Sequence, residues 1–282
     1  MNVSRYDGCG NTFSIVKHEA IPACDLKALA IQICSHDNFD TDGLMIVKAD
    51  PLEMIFYNRD GSWAPMCGNG IRCFAKYVID QGLVAHDIAT FDVMTGAGLL
   101  QVEIVDHDPF LCQVNMGQPI FTPAAVKLGD AGPLDRILQL NGQEVTIHSL
   151  FMGTIHTVVF IDEQRLAKGD DLKPINDIQQ TDLGQQICNH PLFTEKTNVN
   201  FVQVKSNTEL IVRTYERGVG WTKACGTGCC AAAVVAKKLG HVTEDVVAVY
   251  LEEGKLIISN HHDIYMAGPA RYNDSCEFSK QR

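Results

Sequence analysis

The chain of 282 residues contains two near-copies of one segment, separated by 158 positions. One copy begins Cys-Gly-Asn-Gly at Cys67, and the other begins Cys-Gly-Thr-Gly at Cys225. The only two tryptophans, Trp63 and Trp221, coincide at the same separation. A fixed offset that pairs this many residues is the signature of an internal repeat. We therefore predict two homologous halves, and further identities at this offset begin at Tyr57, Arg59, Gly68, Gly70, Ala75, Gly82, Val84, Asp87 and Gly96.

The pattern within each half predicts an α/β (α+β) fold. Residues 70–81 and 228–239 are expected to be helices, each stopped by a glycine. Residues 231–236 carry no polar side chain, so a curled, mostly antiparallel sheet is expected to wrap around that helix. Shorter amphipathic stretches, 24–35 and 132–139, are expected outside the sheets. Runs rich in Val, Ile, Leu and Phe predict strands at 12–16, 44–48, 53–57, 99–105, 111–115, 145–150, 156–161, 201–205, 209–215, 246–251 and 255–259.

Composition narrows the function classes. A net charge of −11 argues against a nucleic-acid partner, because phosphate binding requires a basic surface. No apolar run is long enough to span a bilayer, and the N-terminus lacks the apolar segment of a signal peptide. The eleven cysteines are odd in number, and Cys229 and Cys230 are adjacent, which makes a poor disulfide framework. We expect a cytoplasmic protein with reduced thiols and no membrane partner.

Each repeated cysteine is expected to lie at the start of a helix. The helix N-terminus offers unpaired N–H groups and a positive dipole end, which should lower the pKa of the thiol. The same N–H groups suit a carboxylate. Two such units could act on the α-carbon of one amino acid: a thiolate removes the α-proton from one face, and a thiol delivers a proton to the other. This chemistry requires no metal and no cofactor.

Two alternative interpretations of the cysteines remain open. Cys67 and Cys225 could be packing thiols, because free cysteine is often buried. A structural zinc site would need paired Cys-x-x-Cys spacings, which the cysteines that follow them in the two segments do not provide. We therefore expect no metal and no cofactor.

The two cysteine segments resemble the catalytic segments of the diaminopimelate epimerase superfamily. Asn58–Ser62 running into Met66–Cys73 is similar to the first segment, and Tyr215–Gly218 running into Ala224–Gly228 is similar to the second. The resemblance covers nearly the whole chain and implies two pseudo-symmetric domains with the active site in their cleft. It implies residues 1–118 as the N-terminal domain, 119–268 as the C-terminal domain, and 269–282 returning to the first. A homodimer is a further expectation from the family.

By position, the resemblance implies Cys67 and Cys225 as the acid/base pair acting on a small amino-acid substrate. The implied substrate-binding residues are Asn11, Asn58, Gly68, Asn69, Thr154, His156, Asn198, Glu216, Arg217, Gly226 and Thr227. Among these, backbone amides near each cysteine would hold the reacting carboxylate, whereas Asn58, Asn198 and Arg217 would contact the far end of the substrate. Asn58 could instead be a turn residue, and Arg217 could instead form an ion pair with Glu216 or another acid.

Four positions depart from the family pattern, and the first is Thr12, where the family start has aspartate. Thr154 stands where the family normally has asparagine, and Trp63 and Trp221 stand where it usually has glutamate. These departures suggest a changed pocket wall or interface. The leading expectation is therefore racemisation of an amino acid other than diaminopimelate, such as histidine. The alternatives are diaminopimelate epimerase itself, favoured by the retained Arg217, a relative of the proline racemase or phenazine-biosynthesis isomerase type, and a non-enzymatic amino-acid-binding protein.

Overall fold

A computed structural model of the protein describes residues 1–128, 132–161 and 174–279. The chain divides into two compact units, which are described separately. The first unit comprises Met1–Asn115 and Ala267–Arg282, and the second comprises Met116–Met266. The boundaries expected from the sequence, after residues 118 and 268, fall within three residues of these divisions.

The elements of the first unit are β1 Asn2–Gly8, β2 Asn11–Lys17, α1 Leu26–Cys34, β3 Gly43–Ala49, β4 Leu52–Asn58, β5 Trp63–Ala64, α2 Gly70–Asp80, β6 Thr90–Thr95, β7 Gly98–His107, β8 Phe110–Asn115 and β18 Arg271–Glu277. They include a sheet in the order β18-β1-β2-β3-β4-β6-β7-β8, in which β2–β3 and β4–β6 are parallel and the other neighbours are antiparallel. Helix α2 contacts β1, β2, β8 and β18, so strands from both ends of the sheet wrap around it.

The elements of the second unit are α3 Pro123–Val126, β9 Arg136–Leu140, β10 Gln143–Phe151, β11 Ile155–Phe160, α4 Leu183–Cys188, β12 Asn198–Ser206, β13 Glu209–Glu216, β14 Gly220–Thr222, α5 Gly226–Lys238, β15 Val246–Tyr250 and β16 Lys255–Asn260. This unit repeats the plan of the first with a sheet in the order β9-β10-β11-β12-β13-β15-β16, in which β11–β12 and β13–β15 are parallel. Strand β17, Ile264–Pro269, crosses the division at residue 266.

The central helix of the second unit is the one predicted from the sequence. Helix α5 contacts strands β10 to β13, β15 and β16, and ten of its side chains and glycines are buried. Helix α1 packs on β3 and β4, and α4 packs on β12 and β13. The repeat seen in the sequence is therefore a repeat of a strand-and-helix unit, which confirms the predicted fold class.

The expected position of residues 132–139 is wrong. This stretch does not lie outside the sheet, because Arg136–Leu140 is strand β9, paired with β10. Ile137 and Gln139 are exposed whereas Leu138 and Leu140 are buried, which is the alternation of a strand. Asn141 and Gly142, which follow, both have positive φ, at 52° and 81°, as a two-residue hairpin turn requires.

Strands with a weak apolar pattern are not predicted from the sequence. All eleven predicted strands overlap observed ones, but seven strands were not predicted: β1, β5, β6, β9, β14, β17 and β18.

Candidate active site

Cys67 lies directly before helix α2, with Asn69 as the helix N-cap. The carbonyl of Cys67 accepts the N–H of Ile71 at 2.9 Å, and its Sγ accepts the N–H of Gly70 at 3.3 Å. The thiol is half-buried. The sulfur therefore occupies the position at which the free N–H groups of the first helical turn converge.

Cys225 occupies the equivalent place in the second unit and is itself the N-cap of α5. Its carbonyl accepts the N–H of Cys229 at 3.0 Å, and the backbone of Gly228 forms a hydrogen bond with its sulfur. The hydroxyl Oγ1 of Thr227 lies 3.6 Å from Sγ. The assigned N-caps differ, but in both segments the cysteine carbonyl accepts the N–H of the residue four positions later, and the sulfur is hydrogen-bonded to the backbone of the second glycine.

The second glycine of each Cys-Gly-x-Gly segment is required for space. A Cβ built on Gly70 would lie 3.2 Å from Cys67 Sγ and 2.5 Å from the terminal methyl of Met45. A Cβ built on Gly228 would lie 3.2 Å from Cys225 Sγ and 2.3 Å from the side-chain oxygen of Asn200. Any side chain at these positions would therefore displace the neighbours of the sulfur.

The sequence expectation of a lowered thiol pKa is wrong for Cys225. Burial raises the pKa of Cys225 well above its ordinary value, and the nearby carboxylate of Glu216 raises it further. The hydrogen bonds from Thr227 and Gly228 act in the opposite direction and are outweighed. In the structure as it stands, Cys225 is a thiol and can act as a proton donor.

The side chains of Asn11 and Asn69 meet in the first unit. Asn69 Nδ2 donates to Asn11 Oδ1 at 2.7 Å, and Asn69 is almost fully buried. Asn58 instead donates its side-chain N–H to Ser62 Oγ at 3.0 Å within the turn that contains Gly61. The side chain of Asn58 is therefore used within the turn, as the alternative interpretation of this residue expected. Gly68 lies between Cys67 and the N-cap residue Asn69.

The residues expected at the far end of the substrate are brought together in part. The backbone N–H of Arg217 donates to Asn198 Oδ1 at 2.9 Å, and its guanidinium donates to the carbonyl of Glu195 at 3.0 Å. Glu216 instead accepts the hydroxyl of Thr222 at 2.9 Å. The Arg217 contacts thus join the turn after β13 to the start of β12 and to the loop before β12.

His156 lies opposite Asn198 across the parallel strands β11 and β12 and is fully buried. Burial lowers its pKa to about 3, so the imidazole is neutral. The side-chain NH₂ of Asn200 faces the carbonyl of Thr157 at 3.2 Å and His156 Nδ1 at 3.1 Å. Because a carbonyl only accepts, that NH₂ must donate to both, and the proton of the imidazole is therefore on Nε2.

Two polar atoms of this region have no partner among the described residues. They are His156 Nε2, a donor, and Thr154 Oγ1, a hydroxyl. A Cβ built on Gly153, which precedes Thr154, would lie 3.5 Å from the methyl of Thr227, so this strand start lies beside the first turn of α5. Buried polar groups normally find a partner, so these two atoms are available to a ligand.

The two tryptophans differ in their surroundings. Trp221 packs on Phe201 and Tyr215, at ring separations of 5.6 and 5.5 Å, and is partly buried against the core of the second unit. Trp63 is 55% exposed and lies over Gly96, where a Cβ would come within 2.4 Å of the indole. Trp221 is therefore a packing residue, whereas Trp63 presents an apolar surface.

Sequence reasoning missed Asn200, Arg72 and Asp42. Asn200 fixes the tautomer of His156, and Arg72 is fully buried beside Asn69. One signal was present for Asn200, because it follows Asn198 by two residues and so shares its face of the strand, with apolar Val199 and Phe201 on either side of it. For Arg72, helical spacing placed it three residues after Asn69, where side chains are neighbours.

Among the described residues, no group of three or more His, Cys, Asp or Glu side chains is arranged to hold a metal ion. Over the same residues, no helix combines the length and the hydropathy needed to cross a membrane.

Comparisons with known proteins fit this arrangement. The structure is similar to a probable proline racemase from Agrobacterium radiobacter, with a TM-score of 0.72, 11% identity and coverage of 99% of this chain and 93% of that one. It is also similar to a phenazine biosynthesis protein of the PhzF family from Bacillus anthracis, with a TM-score of 0.68, 16% identity and 99% coverage of both chains. At these identities the similarity concerns the fold.

Sequence similarity is more specific. A diaminopimelate epimerase from Alkaliphilus metalliredigens is 39% identical over 279 residues, covering 96% of this chain and 94% of the relative. Another from Halothermothrix orenii is 36% identical, covering 96% and 95%. The family model described as diaminopimelate epimerase matches residues 3–122 and 149–273. The chain therefore belongs to the diaminopimelate epimerase family of cofactor-independent isomerases.

Proposed function

We propose that this protein inverts the α-carbon of an amino acid by proton transfer between two cysteines, Cys67 and Cys225. The observation that carries the proposal is the matched environment of the two sulfurs, each hydrogen-bonded to the backbone N–H of the fourth residue of a Cys-Gly-x-Gly segment. A thiolate at a helix start is a base placed beside N–H groups that bind a carboxylate. As the α-proton leaves, negative charge grows on that carboxylate, and the same N–H groups stabilise it.

The reaction requires one base and one acid at a time. Cys225, whose pKa is raised, supplies the thiol, and Cys67 serves as the base in that direction. The reverse reaction begins with the protonation states exchanged. The bond changes balance without a co-reactant: the α-C–H bond breaks as an S–H bond forms on Cys67, and the S–H bond of Cys225 breaks as a new C–H bond forms on the opposite face of the α-carbon.

Diaminopimelate is the first candidate substrate, because two relatives that are 39% and 36% identical over 96% of this chain are named for it. Arg217 supports this choice, since a guanidinium can hold the carboxylate at the far end of diaminopimelate. In the structure that guanidinium is exposed enough to exchange its contact with the Glu195 carbonyl for a ligand.

A second candidate is another amino acid, such as histidine, and Thr154 favours it. Threonine offers one hydroxyl where the family normally has an amide, and its Oγ1 has no partner among the residues described. An amide can donate two hydrogen bonds to a carboxylate, but a hydroxyl can donate only one. A pocket with fewer donors suits a side chain that is neutral or cationic.

The experiment is incubation with single amino acids in deuterated water, followed by NMR for loss of the α-hydrogen and chiral chromatography for inversion. L,L- and meso-diaminopimelate are compared with L-histidine. Wild type should exchange and invert one of these, and Cys67→Ser and Cys225→Ser should each lose inversion. Retained inversion in both variants would contradict the two-cysteine mechanism, and inversion of histidine alone would replace the first substrate by the second.

A further inference from the structure

A chain of side-chain hydrogen bonds in the first unit runs from a buried guanidinium to a carboxylate. Arg72 Nη2 donates to Asn69 Oδ1 at 3.2 Å. Asn69 Nδ2 then donates to Asn11 Oδ1 at 2.7 Å. Asn11 Nδ2 donates in turn to Asp42 Oδ2 at 3.1 Å, which also accepts the backbone N–H of Thr12 at 2.9 Å.

The two ends of this chain fix its direction. A guanidinium can only donate, so Asn69 must turn its oxygen toward Arg72 and its NH₂ toward Asn11. A carboxylate can only accept, so Asn11 must turn its NH₂ toward Asp42. Each asparagine amide could otherwise adopt two orientations, and the charged ends select one. Both amides belong to the half-site of the first unit, by which we mean Cys67 and the proposed substrate-binding residues Asn11, Gly68 and Asn69.

The buried side chain of Arg72 is expected to destabilise the folded protein. It is fully buried, and its Nε and Nη1 have no hydrogen-bond partner among the described residues. It also lies in the first turn of α2, where the helix dipole opposes a cation. A buried charge with unsatisfied donors lowers the stability of a fold. The hydrogen bond to Asn69 is the only side-chain hydrogen bond of Arg72 among the described residues, and it is therefore the feature to which a role can be assigned.

The fold itself does not require this series of hydrogen bonds. At the 158-residue offset, Arg72 corresponds to Cys230 and Asn69 to Thr227. The repeat pairs Asn11 with Thr154 and Asp42 with Asn198, as judged from their neighbouring residues. None of these four counterparts is charged, although they belong to the same strand-and-helix unit. The series of hydrogen bonds from Arg72 to Asp42 is therefore specific to the half-site of the first unit and is not a consequence of the repeated architecture.

We propose that Arg72 and Asp42 are positioning residues that hold the amides of Asn69 and Asn11 in the orientation that receives the substrate. The inference rests on the proposed function, because it assumes that these amides border the reacting carbon. With the orientation fixed in advance, the half-site need not reorder its amides when the substrate binds or when charge develops.

The test is Arg72→Met, which replaces the guanidinium by an unbranched apolar side chain and removes every donor. We expect Tm to be unchanged or raised, because a buried charge is removed. We expect kcat/KM to fall about 10- to 100-fold, the effect of losing a hydrogen bond to a charged group, and kcat to fall more than KM rises. Arg5→Met is the matched control, because Arg5 is an arginine of the same unit paired with Asp274, and kcat/KM should stay within about twofold.

A double-mutant cycle separates positioning from general damage. If Arg72 acts through Asn69, then Asn69→Ala with Arg72→Met should be no slower than Asn69→Ala alone. Multiplying losses, unchanged kcat/KM, or activity that falls together with Tm would each overturn the proposal.

A measurement without turnover distinguishes this proposal from the proposed function. In protein labelled with ¹⁵N-asparagine, the side-chain NH₂ signals of Asn69 and Asn11 are assigned from their alanine variants. Arg72→Met and Asp42→Ala should each shift both signals and speed their exchange with solvent. Unchanged signals would overturn the positioning role. An inactive wild type with both signals shifting as expected would overturn the proposed function alone.

Discussion

At Gly228, a single missing side chain decides whether Cys225 can approach the start of α5. A methyl group there would lie 2.3 Å from Asn200 Oδ1, and the Asn200 amide is held by Thr214 at 3.0 Å and by the Thr157 carbonyl. The amide cannot move away without breaking these bonds. We expect Gly228→Ala to cost about 1–3 kcal/mol in the free energy of unfolding, as overpacked sites do, and to lower kcat.

Urea unfolding and turnover measure the two effects, with Gly132→Ala as the matched control. A Cβ built on Gly132 meets nothing within 4 Å, so this variant should behave as wild type. Equal stability of the two variants would show that the Asn200 contact does not constrain the sulfur.

The protonation of Cys225 leads to a second prediction at this scale. Burial has the largest effect on the pKa of Cys225 and raises it. The carboxylate of Glu216 has the next largest effect and also raises it, whereas the hydrogen bond with Thr227 lowers it. Glu216→Gln should therefore lower the pKa and speed alkylation of Cys225 by iodoacetamide at neutral pH, because more thiolate is present. Thr227→Val should raise the pKa and slow the same reaction. Peptide mass spectrometry follows the rates, and changes in the same direction in both variants would contradict this ordering.

These effects mark the limit of sequence reasoning for single residues. The helix-start position of Cys225 could be predicted from Cys-Gly-Thr-Gly, and with it the N–H groups that favour a thiolate. The opposing effects could not, because they depend on how deeply the sulfur is buried and on where β13 places Glu216. Local sequence specifies the capping geometry, whereas tertiary packing sets the balance of charges.

At the scale of elements, β9 and β18 were missed for different reasons. The signal for β9 was present in Asn141-Gly142, a dipeptide typical of a hairpin turn, followed by alternating apolar residues. Strand β18 has no such signal, because six of its seven residues are exposed and five of those six are polar or aromatic. Its pairing depends on β1, more than 260 residues earlier in the chain, where Arg5 binds Asp274.

Helix α5 provides a prediction at the same scale. Its residues from Cys229 to Ala236 are all buried, so the sheet surrounds it without spare volume. Ala232→Leu adds three carbons to this interior and should cost about 1–3 kcal/mol in the free energy of unfolding. Ala28→Leu, on an exposed position of helix α1, is the matched control and should change that free energy by no more than about 0.5 kcal/mol. Urea denaturation compares them, and equal costs would show that α5 is not tightly enclosed.

At the scale of the whole molecule, buried neutral groups restrict the pH range of maximum stability. His156 has a pKa of about 3 in the folded chain against 6.5 ordinarily, so the unfolded chain binds a proton first as the pH falls. Stability from this group is complete above pH 6.5 and is lost between 6.5 and about 3. Burial raises the pKa of Cys112 to about 12 from 9.0, so stability from that thiol is lost as the pH rises above 9.

We therefore expect the free energy of unfolding to be greatest between about pH 6.5 and 9 and to fall on both sides. On the acid side, His156 contributes a slope of at most about 1.4 kcal/mol per pH unit, the value for one proton. His156→Gln removes this titration, so its free energy of unfolding should start lower at pH 7 and decline less steeply toward pH 4. Urea unfolding at pH 4 to 10 measures both limbs. An acid slope that is the same in wild type and His156→Gln would mean that the imidazole is charged in the folded protein, which would require an acceptor for Nε2 that the described residues do not supply.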